Sequence, residues 1–175
     1  MDRYQLFAKY NQWMNNSLYQ CCLELGQEAV EKDQGSFFSS IYTTLNHLLI
    51  ADLFWLMRCC EDKNAFELKD ETGEKIRITA LDQILYPKIE QLYEQRQQLD
   101  VAILDYVASL TEADMTRLVG YRTSKGVQME NPLEPILMHW FNHQTHHRGQ
   151  VTAMLSQQGV DFGLTDLIYI KDFVN

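Results

Sequence analysis

The feature that most constrains the fold of this chain is the recurrence of apolar and aromatic residues at helical spacing over long stretches without proline. From Asp2 to Leu25 the series runs Tyr4, Phe7, then Tyr10, Trp13 or Met14, Leu18, Cys21 and Leu25, the period that lines one face of an α-helix. Gly26 marks its end. Gln27 to Gly35 is polar and reads as a loop or short turn, and Ser36 is the start signal for a second helix from about Phe37 to Cys60, apolar on most sides as a buried element should be. Glu61 to Arg77 is charged, contains Gly73 and keeps no period, so it reads as a loop. Thr79 is the expected cap of a third helix from Ala80 to about Leu110, bent at Pro87. After a turn region from Thr111, the segments Leu118 to Thr123 and Val127 to Glu130 flank Ser124-Lys125-Gly126 and suit a small β-hairpin. Asn131-Pro132 then reads as an N-cap with proline at the first helical position, opening a fourth helix to about Gln158 that Gly159 stops. The tail from Asp161 to Asn175 keeps Leu164, Leu167, Ile168, Ile170 and Phe173, enough to dock on the helices.

The expected architecture is therefore all-α, a four-helix bundle with a small β-hairpin before the last long helix. Three prolines and eight glycines in 175 residues are too few for a β-rich chain. The length fits one domain over residues 1–175. The connection between the second and third helices is long enough for a crossover, so an up-down-up-down order is not required.

Charge and composition then remove several functions. A formal charge of −9 repels a phosphate backbone, and no basic stripe with interleaved aromatics is present, so nucleic acid is not an expected partner. The longest apolar stretches are interrupted by His47, Asp52 and Arg58, short of the roughly 18 apolar residues that a membrane span needs. Met1-Asp2-Arg3-Tyr4 leads straight into helical sequence without an export signal, and the expected location is the cytoplasm. Four cysteines fall in adjacent pairs, Cys21-Cys22 and Cys59-Cys60, a pattern of reduced thiols used as small hydrophobes rather than of a zinc site, which would show Cys-x-x-Cys spacing.

The histidines are distributed unevenly. Four of the five, His139, His143, His146 and His147, lie on the fourth helix, and the fifth is His47 on the second. At about 100° per residue, Leu133, Ile136, Trp140, Val151 and Met154 share one direction within about 40°, which is the core face. His143 and His147 lie in that stripe about 6 Å apart, close enough for both rings to reach one ion. Two inward imidazoles carry a desolvation cost unless hydrogen bonds or a metal satisfy them. Open metal sites generally take three protein ligands, so a third must come from another element. His47, aligned with Thr43, Thr44, Ala51 and Phe54, is the histidine available. His139 and His146 point off the core face and are expected at the surface or beside the ligands. His143-Gln144-Thr145-His146-His147 lacks the glutamate of a zinc-protease motif, so an ion here must itself activate a water or thiol. Asp52 and Glu134 are candidate orienting groups for the ligands. Arg58, Arg122, Lys125 and Arg148 are expected to be exposed or salt-bridged.

Three blocks together resemble the DinB/YfiT-like superfamily: Tyr10-Asn11-Gln12-Trp13-Met14-Asn15, then Leu45-Asn46-His47-Leu48-Leu49-Ile50-Ala51-Asp52 with Trp55, then Asn142-His143-Gln144-Thr145-His146-His147-Arg148-Gly149-Gln150. Their order and separation span almost the whole chain. The resemblance implies an up-down-down-up bundle, usually a homodimer, holding nickel, zinc or a similar ion on three histidines, at positions matched here by His47, His143 and His147. It also implies a class that includes metal-dependent transferases and isomerases using low-molecular-weight thiols. Two functions follow as expectations: a metal-dependent enzyme of thiol-transferase or hydrolase type acting on a small molecule through an open coordination position, or a non-catalytic, stress-related bundle stapled by its ion and acting through dimerisation or a partner. A plain bundle with hydrogen-bonded core histidines is the third.

Overall fold

A computed structural model describes residues 3–60, 66–123 and 125–172. Its elements are α1 (Arg3–Leu25), a short α2 (Gln27–Glu31), α3 (Ile41–Cys59), α4 (Ile89–Ser109), strands β1 (Leu118–Arg122) and β2 (Gln128–Pro132), and α5 (Leu133–Gln157), with 3-10 turns at Glu112–Thr116 and Leu167–Asp172. Asp2, the start of the expected loop at Glu61, Ser124 of the hairpin turn and Phe173 of the tail lie outside the described residues. No described helix is long and apolar enough to cross a membrane.

The directions of the four long helices follow from the contacts between them. Asn15 of α1 meets Asp100 of α4 while Gln20 meets Tyr93, so α1 and α4 are antiparallel. Asp52 meets Arg96 and Cys59 meets Tyr106, so α3 and α4 run parallel. Asp52 meets Trp140 and Gln144, whereas His47, further up α3, reaches His143; α3 and α5 are antiparallel. Tyr4 reaches Glu134 and Asn11 reaches Arg148, which makes α1 and α5 parallel. The bundle is therefore up-down-down-up, and the parallel α3 and α4 require the long crossover between them. Its core is built from Leu18, Ile41, Leu49, Leu56, Ile89, Leu99, Trp140 and Val151 among others, all buried.

Several boundaries differ from the sequence reading. The second long helix starts at Ile41, because Ser40 rather than Ser36 is its cap: Ser40 Oγ accepts from Thr43 N at 3.1 Å. Ser36 and Ser39 instead pair across a tight turn in which Ser39 has φ 61°. The polar segment after Gly26 contains the short helix α2. The third long helix starts at Ile89, nine residues later than expected, so Pro87 precedes it and does not bend it. Thr79 is no cap; its N–H donates to Gln83 Oε1 at 2.8 Å within the crossover. The apolar residues that suggested helix there are held out of helical form by side chains of other elements. Leu85 N donates to Asn46 Oδ1 at 2.8 Å, Tyr42 donates to the Tyr86 carbonyl, and Ile89 N donates to Gln27 Oε1 at 2.8 Å. Each of these replaces a bond that a continuing helix would have made to its own backbone.

The hairpin forms as expected, with Tyr121 opposite Met129 and Leu118 opposite Pro132. Asn131 and Pro132 end β2 rather than open the helix; Pro132 is the capping position and Leu133 N donates to the Arg117 carbonyl at 2.9 Å. Helix α5 stops where Gly159 adopts φ 76° and Val160 N returns to the Leu155 carbonyl at 3.0 Å, a turn that favours glycine. The tail docks through Ile170, which is buried, and through Tyr10, which donates to the Thr165 carbonyl at 2.5 Å; Leu164 and Ile168 stay exposed.

Candidate metal centre

His47 projects from the middle of α3 and meets α5 where His143 and His147 stand one turn apart. His143 Nε2 lies 3.3 Å from His47 Nε2 and 3.1 Å from His147 Nε2. One ring nitrogen from each of the three lies within 4.8 Å of the others. Phe38, in the turn before α3, stacks on the His47 ring at 4.1 Å and meets the edge of His147 at 5.5 Å, closing that side.

The outer ring nitrogens fix the tautomers. His47 Nδ1 lies 2.9 Å from the Leu81 carbonyl, and His147 Nδ1 lies 2.7 Å from Gln150 Oε1. Both acceptors are carbonyl oxygens, so each Nδ1 carries the hydrogen and each Nε2 presents a lone pair. His143 Nδ1 is buried and has no hydrogen-bond partner among the described residues. Burial, reinforced by His147, His47, His139 and His146, pushes the His143 pKa down to about 3. Burial also lowers those of His47 and His147. At neutral pH the cluster therefore offers uncharged imidazoles at close range, the form in which histidine binds metal. With metal–nitrogen bonds of about 2.0–2.1 Å, the nitrogens of a tetrahedral site stand about 3.3 Å apart. The observed 3.1 and 3.3 Å match that spacing. The residues present fit a divalent ion.

Each remaining candidate has a defined place. His139 lies one turn before His143 with its ring 5.2 Å from Trp55 and 5.9 Å from His143; it does not join the cluster but lines the cleft in front of it. Burial, with Arg58 nearby, lowers its pKa. His146 is exposed beside His147 on the outer face. Glu134 pairs with Arg3 at 2.9 Å, close to the start of α5, and orients no histidine. Asp52 is fully buried but touches none of the three rings: it accepts from Arg96 at 2.7 Å, from Trp140 Nε1 at 2.6 Å and from Gln144 Nε2. The Leu81 carbonyl and Gln150 do the orienting that Asp52 and Glu134 were expected to do.

The sequence reading missed the rest of that polar network. Arg96 also pairs with Asp100 at 2.8 Å, and Asp100 accepts from Asn15 Nδ2 at 3.0 Å. Arg96 and Asp100 fall at helical spacing within the stripe Ile89, Leu92, Leu99, Ile103 and Val107, so the signal was charge in an apolar stripe. Arg148 is not exposed: it is buried between α5 and α1, donates to Asn11 Oδ1 and lies over the Tyr10 ring at 5.2 Å. Arg122 and Lys125 are exposed. All four cysteines are free thiols, with Cys22 and Cys59 buried.

A cleft of about 960 Å³ opens from the cluster between α3, α5, the crossover and the hairpin. His47 and His143 form one end; Phe54, Trp55, Tyr121 and Ile136 form much of its apolar wall. None of its described lining residues is an aspartate or glutamate.

An up-down-down-up helical bundle with three convergent histidines, two of which face a cleft, defines the class of protein. Comparison with known sequences places it further: the DinB family profile matches residues 1–172, and the chain belongs to the DinB family. It is 27% identical over 160 residues to Protein DinB of Bacillus subtilis strain 168, covering 90% of this chain and 87% of that one. It also shares the fold of a DinB-like protein from Bacillus cereus ATCC 10987, with a TM-score of 0.61, 18% identity, and coverage of 86% of this chain and 89% of the other.

Proposed function

We propose that His47, His143 and His147 hold one divalent metal ion, nickel or zinc, and that the protein is a metal-dependent enzyme of thiol-transferase or hydrolase type, working on a small molecule in the cleft. The observation that carries this reading is the convergence of three ring nitrogens at 3.1 and 3.3 Å, two of them held as lone pairs by the partners of the opposite ring nitrogen, with His47 and His143 facing open space. An ion there supplies Lewis-acid activation, lowering the pKa of a bound water or thiol. The side chains do the rest. Leu81 and Gln150 keep two rings in the binding tautomer, Phe38 shields the rear of the cluster, and the aromatic wall positions the substrate and excludes water. Imidazole ligands suit zinc and nickel alike. A low-molecular-weight thiol as cosubstrate, a cytoplasmic location and a homodimer complete the reading.

Protein purified without an affinity tag is expected to carry one metal ion per chain by elemental mass spectrometry. His143→Ala is expected to lose at least nine-tenths of it; retention of the ion by that variant overturns the ligand set. A screen of thiols with electrophilic acceptors, alongside esters and amides, then separates transferase from hydrolase. The non-catalytic reading has one observation in its favour, that the ligands join α3 to α5, and identical melting temperatures with and without chelator would remove it together with the metal centre itself.

A further inference from the structure

His139, His143 and His147 follow one another at intervals of four residues on α5, but they do not share one direction. Each step advances about 6 Å along the helix and turns by about 40°, so His139 points about 80° away from His147, with His143 between them. The ring contacts follow this division. The rings of His143 and His147 lie 4.3 Å apart and that of His47 lies 5.2 and 4.6 Å from them, whereas His139 is 5.9 Å from His143 and gives no nitrogen to the cluster. His139 instead lines the cleft together with His47 and His143, and His147 is not among the described lining residues.

Phe38 covers His47 and the edge of His147, so the cleft is the side from which a small molecule reaches an ion on the three rings, and His139 borders that approach. Most polar side chains of the cleft are already committed. Tyr121 Oη accepts from Asn131 Nδ2 at 3.0 Å, Thr79 Oγ1 donates to Gln83 Oε1 at 3.2 Å, Thr123 Oγ1 accepts from Val127 N at 3.2 Å, and Arg58 donates to the Arg122 carbonyl at 3.1 Å. Two polar side chains of the described lining make no hydrogen bond to a described residue, Trp55 and His139, whose rings meet edge to face at 5.2 Å. An indole can only donate, whereas a neutral imidazole offers one N–H and one lone pair. His139 is also the nearer to the cluster, one turn before His143.

We propose that His139 serves the metal centre without binding its ion: its ring hydrogen-bonds the exchangeable group, a water, a thiol or a substrate atom, that the ion holds on the cleft side. The proposal rests on the metal reading above and adds to it the residue that selects and holds what the open position takes.

The test loads the full chain with cobalt(II) and titrates it under argon with 2-mercaptoethanol, followed through the sulfur-to-cobalt charge-transfer band, with cobalt content and circular dichroism measured on every sample. His139→Ala and His139→Leu are expected to keep one cobalt per chain and to bind the thiol about tenfold more weakly than the unaltered protein. His139→Gln, which keeps a donor and an acceptor, is expected to recover part of the loss, and His146→Ala, on the outer face, to change neither quantity. Thiol affinity within about twofold of the unaltered protein in both apolar variants, at full cobalt content, overturns the proposal and leaves the metal centre standing. Loss of cobalt from a folded His139 variant also overturns it, because the ring would then be a ligand, and so does equal weakening in His146→Ala. A cobalt spectrum that does not respond to the thiol means a closed shell with no exchangeable group, and removes the role of His139. Unaltered protein that takes up no cobalt overturns the metal reading and this proposal with it.

Discussion

His143 is the residue on which the cluster closes, because its Nε2 is within 3.3 Å of the Nε2 atoms of both His47 and His147. Its folded pKa of about 3, set first by burial and then by the neighbouring rings, compares with roughly 6.5 in an unfolded chain. Between those values the unfolded state binds a proton that the folded state refuses. Stability from this group is therefore present in full above about pH 6.5 and declines as the pH falls. Asp100 acts in the opposite sense: burial raises its pKa to about 6, so it retains a proton in the folded state that the unfolded chain releases. The comparison that isolates the histidine is with a His143→Gln variant, which keeps Asp100. In metal-free protein, melting temperature is expected to drop more between pH 7 and pH 5 in the unaltered chain than in the variant. Equal drops by differential scanning calorimetry would show that the ring gains its proton freely in the folded state.

At the level of elements, one buried network touches all four long helices: Asn15 on α1, Asp52 on α3, Arg96 and Asp100 on α4, and Trp140 and Gln144 on α5. Gln144 adjoins His143 in the chain, so its bond to Asp52 fixes the rotation of α5 that brings His143 and His147 toward His47. Removing one partner of a buried ion pair leaves the other charge uncompensated. Asp52→Ala is expected to cost about 3–5 kcal/mol in urea denaturation, and a loss under about 1 kcal/mol would show that water or another group takes over. Much of this bundle was legible in advance, because α1, α3 and α5 announce themselves by period and α5 carries His143 and His147 on the face that its apolar residues define. What was not legible depended on partners distant in sequence. The apolar residues Ile84 and Leu85 read as helix because nothing local reveals that Asn46 claims the Leu85 N–H. Arg148 looks like surface charge and Asp52 like an orienting group for the histidines, since burial and partners are properties of the assembled helices and not of the residue.

For the whole molecule, a metal joining His47 to His143 and His147 links α3 to α5 across the bundle, and binding to the folded form alone stabilises it by mass action. At a hundredfold excess over Kd this amounts to about 2.7 kcal/mol, and a chain of this size should melt roughly 5–11 °C higher. Calorimetry with added zinc or nickel, then with chelator, checks this; a melting temperature indifferent to both would mean that no ion bridges the helices. The parallel run of α3 and α4 has a separate consequence, for the route by which the molecule forms. Antiparallel neighbours joined by a tight turn can zip together early, but α3 and α4 must first close the crossover, and α1 rests chiefly on α4 and α5, far along the chain. Little of the bundle can therefore nucleate as a local hairpin. Chain-closure entropy has to be overcome before packing offsets it, and folding should be slow for an all-helical protein of this length.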